Sequence, residues 1–550
     1  MNVVQNIGRV PLVETLSRCS QMWGTAETID LNDMPYAAGA RYVQEKGCIA
    51  GTREAVIRDI CEILNDPAKD APWVCLLTGA AGSGKSAVAH TIARLFDGQK
   101  RLGSSYCFVR SDVAKRNPQN LFSTISRDLS DHDPQFKSAL WRVVKDSRTL
   151  RTSVSPPEQV EQLITGPSKY IDSIGPLIVV VDALDESGEK RDRRQLLDAL
   201  SQQFTERKLP TNIRFLITAR PERDILDALP AGPQIVHKYL GNVPQATIDG
   251  DIGKFIYHSL HRYPELESSW PNQEWCHLLV RQSQRLFQWA STACKFIRGD
   301  DTDGLDPCDQ LEILLRSDRR SGIHPLDSLY RTILDQLFTL ADARDRFREV
   351  MAIVLTLKEP LSLTSLSALF GNDLKVWTII KPLGSLLDGV LDEDKPIRPF
   401  HTSFRDFLLD EHRSSVFHLD ILPRHSLFLA HALLACMRKM LKFNICDLED
   451  SRLRNAEVPN LMDRVTKAIP PHLAYSCQYW MVHMQHAECL PELLDEVTLF
   501  FKNFFPFWLE AISLLSLSSS MSYILAAVET CTILEKWAQV GSTVMIHDQY

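Results

Sequence analysis

"LLTGAAGSGKSAVAH", residues 76–90, decides the fold of this chain. An apolar run ends at Thr78, glycines follow at 79, 82 and 84, and Lys85-Ser86 opens an amphipathic stretch. That is the spacing of a phosphate-binding loop between a strand and a helix. Glycines let successive backbone N–H groups turn inward on an anion, and the following helix presents a partial positive charge at its N-terminus. The predicted nucleotide-binding set is Gly79, Ala80, Ala81, Gly82, Ser83, Gly84, Lys85, Ser86 and Ala87. Lys85 is expected to reach the β and γ phosphates, and the Ser86 hydroxyl to bind Mg2+. Behind the loop, Val88, Ile92, Leu95 and Phe96 are expected to form the stripe that packs this helix on a sheet.

Working outward, further apolar runs follow the first, WVCLLT (73–78): SYCFV (105–109), LIVVV (177–181), IRFLIT (213–218) and IVHKYL (235–240). Continuous apolar runs that alternate with helical segments predict a parallel sheet covered on both faces. Ahead of them, CIAGTREAVIRDICEILND (48–66) spaces Val56, Ile60, Ile63 and Leu64 on one helical face and stops at Asp66-Pro67. The expected organisation is an N-terminal segment (1–47) of undetermined role and an α/β P-loop NTPase domain (48–245). A helical domain (246–345), a winged-helix-like domain (346–412) and a C-terminal all-α domain (413–550) follow.

Two strand ends carry chemistry. In LIVVVDALDES (177–187), Asp182 ends a buried run, so its carboxylate sits where it can hold Mg2+ through water, opposite Ser86. Asp185 or Glu186 is then placed to orient an attacking water. In FLITARPE (215–222), Thr218 and Arg220 lie at the same sheet edge, with Arg220 a sensor for the γ phosphate. The catalytic candidates are Lys85, Asp185, Glu186 and Arg220, and the metal candidates are Ser86 and Asp182. The basic patch EKRDRR (189–194), interleaved with acids, reads as a solvated loop.

Composition narrows the partners. With a formal charge of -8, the chain lacks the basic surplus that a phosphate-backbone partner demands. Its 44% hydrophobic and 24% charged content is that of a globular protein. The thirteen cysteines are scattered, with no C-x-x-C pair and no histidine cluster at zinc-ligand spacing, which suits small core residues in a reducing compartment. The start, MNVVQNIGRVPLVETL, is neither a secretory signal nor a transit peptide. The apolar stretch FFPFWLEAISLLSLSSSMSYILAAV (504–528) carries Glu510 and a serine run, so buried helices rather than a membrane span are expected, in a cytoplasmic protein.

GAAGSGKS (79–86), DALDE (182–186), TARPE (218–222), a helical stretch and then PFHTSFRDFLLD (399–410), in that order, resemble the NACHT class of STAND NTPases. The nearest group is the fungus-abundant NOD-like-receptor type with a nephrocystin-like N-terminal region; CIAGTRE (48–54) and LFQWASTACKFI (286–297) resemble it too. The likeness covers roughly residues 36–510. It implies a signalling switch, of the kind used in innate immunity, that holds ADP in a closed monomer, exchanges it for ATP and self-assembles. It also implies an undetermined protein partner or ligand. In that family the winged helix places a histidine near the ADP β phosphate, and His401 matches the position. Two departures stand out: no repeat sensor follows the helical region, and no recognisable effector domain precedes Cys48.

ATP is favoured over GTP because the guanine-selecting N-K-x-D is missing. Two other readings stay open: a nucleotide-binding scaffold without turnover, and an AAA-like ATPase acting on DNA. For the latter, the expected helix NDLKVWTIIKPLGSLL (372–387) offers only Lys375 and Lys381, too few for groove and phosphate contacts.

Overall fold

The computed structural model describes residues 29–515 and 517, apart from 69, 111, 172–174, 207, 209–211, 262–269, 300–305, 317–323, 372–374, 391, 451–452 and 488–489. The chain start through residue 28, Cys19, Cys531 and the apolar stretch from residue 518 onward lie outside the described residues.

Strands β1 (Val74–Thr78), β2 (Leu102–Cys107), β3 (Leu177–Asp182), β4 (Ile213–Ala219) and β5 (Ile235–Tyr239) pair in the order β2-β3-β4-β1-β5, all parallel. Side chains of a strand alternate between faces, so each apolar run feeds two cores. Cys75, Leu77, Ile178, Val180 and Leu216 join Val88, Ala89, Ile92 and Phe96 of helix Lys85–Gly98 on one face. Val74, Leu76, Val179, Val181, Phe215 and Ile217 pack under helices Leu121–His132, Pro134–Val144 and Lys190–Thr205 on the other. Neither face of the central strands meets water, as the five consecutive leucine or β-branched positions of β3 require. Two expectations about the sheet and its first helix need correction. Leu95 is 39% exposed, because residues 88, 92 and 96 already complete the inward stripe and 95 falls one position off it. And β2 begins at Leu102, three residues before the predicted run, although it reads LGSSYC.

That polar strand is stable because its serines are paired: Ser104 Oγ donates to Asp128 (2.6 Å), and Ser105 Oγ accepts from the Tyr42 N–H (3.0 Å). Tyr42 belongs to residues 29–47, which run as a strap along the β2 side of the sheet. Leu31, Met34, Ala37 and Ala40 are buried in the core there, and the Cys107 N–H donates to Ala40 O at 2.8 Å. The predicted helix within 48–66 is Glu54–Asn65, and Asp66 caps its end in extended conformation.

After Gln245–Leu260 the chain is helical: Gln273–Ser283, Phe287–Arg298, Pro307–Arg316, Pro325–Leu337, Ala341–Thr356 and Leu363–Phe370. A short turn of helix at Val376–Ile380, a hairpin of β6 (Leu387–Asp388) and β7 (Arg398–Pro399), and helix Thr402–Leu408 come next. The expected single helix over 372–387 is therefore cut short: Pro382 sits in a tight turn at Lys381–Leu383, and Leu387 is already in β6. Helices Pro423–Met440, Leu461–Ala468, Pro471–His486, Pro491–Asn503 and Phe505–Leu514 complete the described chain, with Trp480 edge-on to Trp508 at 6.3 Å. One apolar core runs without a break from Ile248 to Leu514. No helix among the described residues is long and apolar enough to cross a membrane.

Candidate nucleotide site

The parallel order puts the C-terminal ends of β3, β4 and β1 side by side, which is where ligands bind in open α/β sheets. The loop after β1 has the shape the sequence demands. Gly84 takes φ +94° before helix Lys85–Gly98, a conformation that L side chains rarely adopt. Gly82, at φ +75°, has no room for a Cβ, which would lie 2.8 Å from Gln288 Cβ. Gln288 begins a second contact to the loop, its N–H donating to Gly82 O at 3.1 Å. Lys85 Nζ donates to Gly79 O and Ala80 O, both at 3.0 Å, and burial pushes this ammonium below its ordinary value, opposed first by Asp185 and then by Asp182.

Asp182 ends β3, buried between its cross-strand neighbours. Thr218 Oγ1 donates to its Oδ1 at 2.5 Å and accepts the Ala183 N–H at 2.9 Å, so the β4 threonine fixes both the carboxylate and the turn after it. Asp185 accepts the Arg220 N–H at Oδ1 (2.9 Å) and pairs with Arg220 Nε at Oδ2 (3.1 Å). Glu186 Oε2 accepts the Arg110 N–H at 3.0 Å. Burial, then the Asp185 charge, pushes the Glu186 carboxyl up to about 7. A group poised there exchanges a proton readily near neutrality.

Helix Thr402–Leu408 closes against these loops. Arg220 Nη2 donates to Thr402 Oγ1 (3.0 Å) and Nη1 lies 3.7 Å from Asp406 Oδ2, while Arg110 Nη1 reaches the other Asp406 oxygen at 3.3 Å. His401 caps this helix: its Nδ1 accepts the Ser403 N–H at 3.1 Å and sits 2.7 Å from Ser403 Oγ, which in turn meets Tyr330 OH at 2.8 Å. With Nδ1 an acceptor, the neutral ring carries its proton on Nε2. Burial, then Arg220 and Lys85, lowers His401 to about 4, so the ring stays neutral at physiological pH.

The sequence-predicted residues Lys85, Asp182, Asp185, Glu186, Arg220 and His401 thus converge on one seam. Several others there were not foreseen. Arg53 is buried behind the loop, donating to Ser83 O at 2.9 Å with its guanidinium 4.8 Å from the centre of the Phe287 ring. Asp406 and Thr402 come from a distant helix. EKRDRR is not a solvated loop: helix Lys190–Thr205 begins in it, and Arg193 is 5% exposed because it turns inward to the acids that flank the site. Its guanidinium donates to Asp185 O (2.7 Å), Glu222 (2.6 Å) and Asp224 (2.9 Å), tying the β3 and β4 loops together. His90, Cys107 and Asp182 place potential ligand atoms within 4.8 Å of one another, a cluster that no local spacing announces.

The residues present fit a magnesium-bound nucleoside triphosphate. Gly82 and Gly84 adopt backbone conformations that side chains rarely take, Ser83 Oγ is buried with no hydrogen-bond partner, and the Lys85 ammonium lies in the field of the Asp185 and Asp182 carboxylates. Ser86 and Asp182 are the groups that would hold the metal.

Residues 51–220 match the family model described as Nephrocystin 3, N-terminal, well under half of the chain's length. No curated protein matches. Among solved structures, C. elegans PCH-2 is similar at 12% identity over 48% of this chain and 69% of that one, with a TM-score of 0.25, which adds nothing to the architecture drawn from the strands themselves. The chain is therefore similar to the N-terminal region of nephrocystin 3 from Gly51 to Arg220, a stretch holding every residue of the site that precedes the helical part.

Proposed function

We propose that this protein is an ATP- and ADP-binding switch of the STAND type, NACHT-like, in which nucleotide exchange opens the seam between the sheet edge and helix Thr402–Leu408 and permits self-assembly. Slow Mg2+-dependent ATP hydrolysis resets it. The reading is carried by one observation: Arg220, the residue just after β4, is shared between Asp185 at the sheet edge and Thr402 and Asp406 of the distal helix. A residue that touches both sides can report what occupies the cradle.

The energetics suffice. Moving a two-state protein from 1:99 to 99:1 needs a differential of about 5.5 kcal/mol. Hydrogen bonds to charged groups contribute about 1.5–3 kcal/mol each. Two or three contacts made to only one nucleotide, through Lys85, Arg220 and His401, reach that figure. Bound Mg2+ would supply charge neutralisation at the phosphates; the chain's own residues orient and report.

The described conformation corresponds in this reading to the closed, ADP-holding form, with one Glu186 carboxylate oxygen accepting the Arg110 backbone N–H. Freshly purified protein is expected to release ADP on denaturation and to run as a monomer in light scattering. Release of no nucleotide at all, from material with normal folded-state absorbance and melting, would refute the switch.

In this reading His401→Ala removes an Nε2–H donor available to the ADP phosphates. ADP should then dissociate about tenfold faster, the loss of one modest hydrogen bond of roughly 1.4 kcal/mol. A stopped-flow chase with unlabelled ADP reads this, and an unaltered off-rate would remove the histidine from the mechanism.

A further inference from the structure

We propose that Arg116, Lys358 and Arg405, brought together from three separate elements, form an anion site for a small soluble molecule carrying clustered phosphate groups. The site lies beside the nucleotide seam and shares no residue with the cradle.

Each of the three stands on a backbone fixed by its neighbours. Arg116 ends the short helix Val113–Arg116 after β2, where Asp112 accepts the Lys115 N–H at 3.1 Å, Tyr106 OH donates to Lys115 O at 3.1 Å and Asn120 donates to Ala114 O at 2.9 Å. Lys358 lies in the link between helices Ala341–Thr356 and Leu363–Phe370. Its N–H donates to Tyr475 OH at 2.9 Å, and the next residue, Glu359, accepts from Tyr479 OH at 2.5 Å. Arg405 belongs to helix Thr402–Leu408, whose Phe404 and Phe407 pack on Tyr330 with ring centres 5.1 and 5.4 Å away. All three residues are half-buried.

Every pair among them repels. Burial, then Arg116 and Arg405, pushes the Lys358 ammonium below its ordinary value. Burial, then Arg110 and Arg116, does the same to the Arg405 guanidinium, opposed by Asp406 and Glu186. The acids nearby are already engaged: Asp406 by Arg110 (3.3 Å) and Arg220 (3.7 Å), Asp112 by Lys115 (2.8 Å), Glu359 by Tyr479, and Glu186 by the Arg110 N–H. Among the described residues no acid forms an ion pair with Arg116, Lys358 or Arg405. Like charges held together and partly withdrawn from water destabilise a fold until a counterion joins them. Arginine forks match phosphate oxygens two at a time, and the multiple charge of clustered phosphates answers several cations at once. The setting between elements, rather than on an open face, suits a compact ligand over a peptide, and the fixed backbones limit the ordering that binding costs. A ligand there joins the loop after β2 to the helical block, beside the Arg110–Asp406 pair.

The test titrates the full chain with inositol hexakisphosphate in metal-free buffer, by calorimetry, alongside thermal melting. Wild type should bind, and Lys85→Ala should bind as tightly, because the cradle takes no part. The double variant Arg116→Gln/Lys358→Gln should bind about 100-fold or more weakly, having lost two charge-assisted contacts. Arg191→Gln/Arg194→Gln, which removes two exposed arginines from helix Lys190–Thr205, should match wild type. Without the probe, Arg116→Gln/Lys358→Gln should melt no lower than wild type, since repulsion is relieved; with it, only proteins that keep all three cations should gain stability. Unchanged affinity in Arg116→Gln/Lys358→Gln, or a lower melting temperature of that variant without the probe, would overturn the site. So would an equal loss in Arg191→Gln/Arg194→Gln, which would mean diffuse charge attraction, or lost binding in Lys85→Ala, which would put the probe in the cradle. Absence of binding to wild type would end the proposal outright and leave the nucleotide reading untouched.

Discussion

Lys85→Ala empties the protein: nucleotide content after purification is expected to fall from near one per chain to background. The ammonium rests 3.0 Å from two loop carbonyls, poised on the inner side of the cradle, and its burial means that its charge is poorly screened by water. Losing charge-assisted contacts to two phosphates, at about 1.5–3 kcal/mol each, weakens binding roughly 10²–10⁴-fold. The fold should survive. Lys85 is the first residue of its helix, contributes nothing to either sheet core, and alanine is the better helix former. Quantifying the nucleotide released by denaturation checks the outcome, with melting of nucleotide-free protein as the control. ADP content unchanged from wild type would contradict the assignment of the cradle.

Glu186→Gln should nearly silence hydrolysis while leaving nucleotide bound. A positioned carboxylate that orients or deprotonates water contributes about 10²–10⁴-fold, and the amide keeps the shape without the basicity. The same side chain makes a pH signature. Its carboxyl is pushed up to about 7 in the folded protein, first by burial and then by Asp185, above the value near 4.5 of a free glutamate. The folded, closed form therefore binds this proton more tightly than the unfolded chain does. The associated stabilisation is fully present below the unfolded value and is lost as pH rises through about 7. Wild type should melt at a lower temperature at pH 8 than at pH 6, and turnover should climb over the same interval as the carboxylate ionises. Glu186→Gln should flatten both trends. Equal phosphate release by the two proteins would assign water activation elsewhere.

Much of this site is legible in the sequence because its parts are local. The glycine spacing of 79–84 and the polar ends of LIVVVD and FLITA report their own surroundings, since a loop's conformation and a strand's exit are set within a few residues. What stays hidden is set by partners far along the chain. Arg220 meets Thr402 across 182 positions, and Arg110 meets Asp406 across 296. Arg193 reads as a surface charge until three acceptors from two loops surround it. The start of β2 is obscured for a related reason: Ser104 and Ser105 look like loop residues, and only Asp128 and Tyr42 make them tolerable in a buried strand. Leu95 errs the other way, an apolar residue whose position on the helix turns it to water.

The unbroken apolar mass from Ile248 to Leu514 has a mechanical consequence. Close-packed interiors transmit displacement rather than absorb it. A push on the aromatic knot of Trp480, Phe500 and Trp508 finds no soft layer in which to dissipate, and so swings the whole block. That block meets the loops at the sheet edge both at Thr402, on the guanidinium of Arg220, and at Gln288, on the carbonyl of Gly82, so a displacement of the block reaches both.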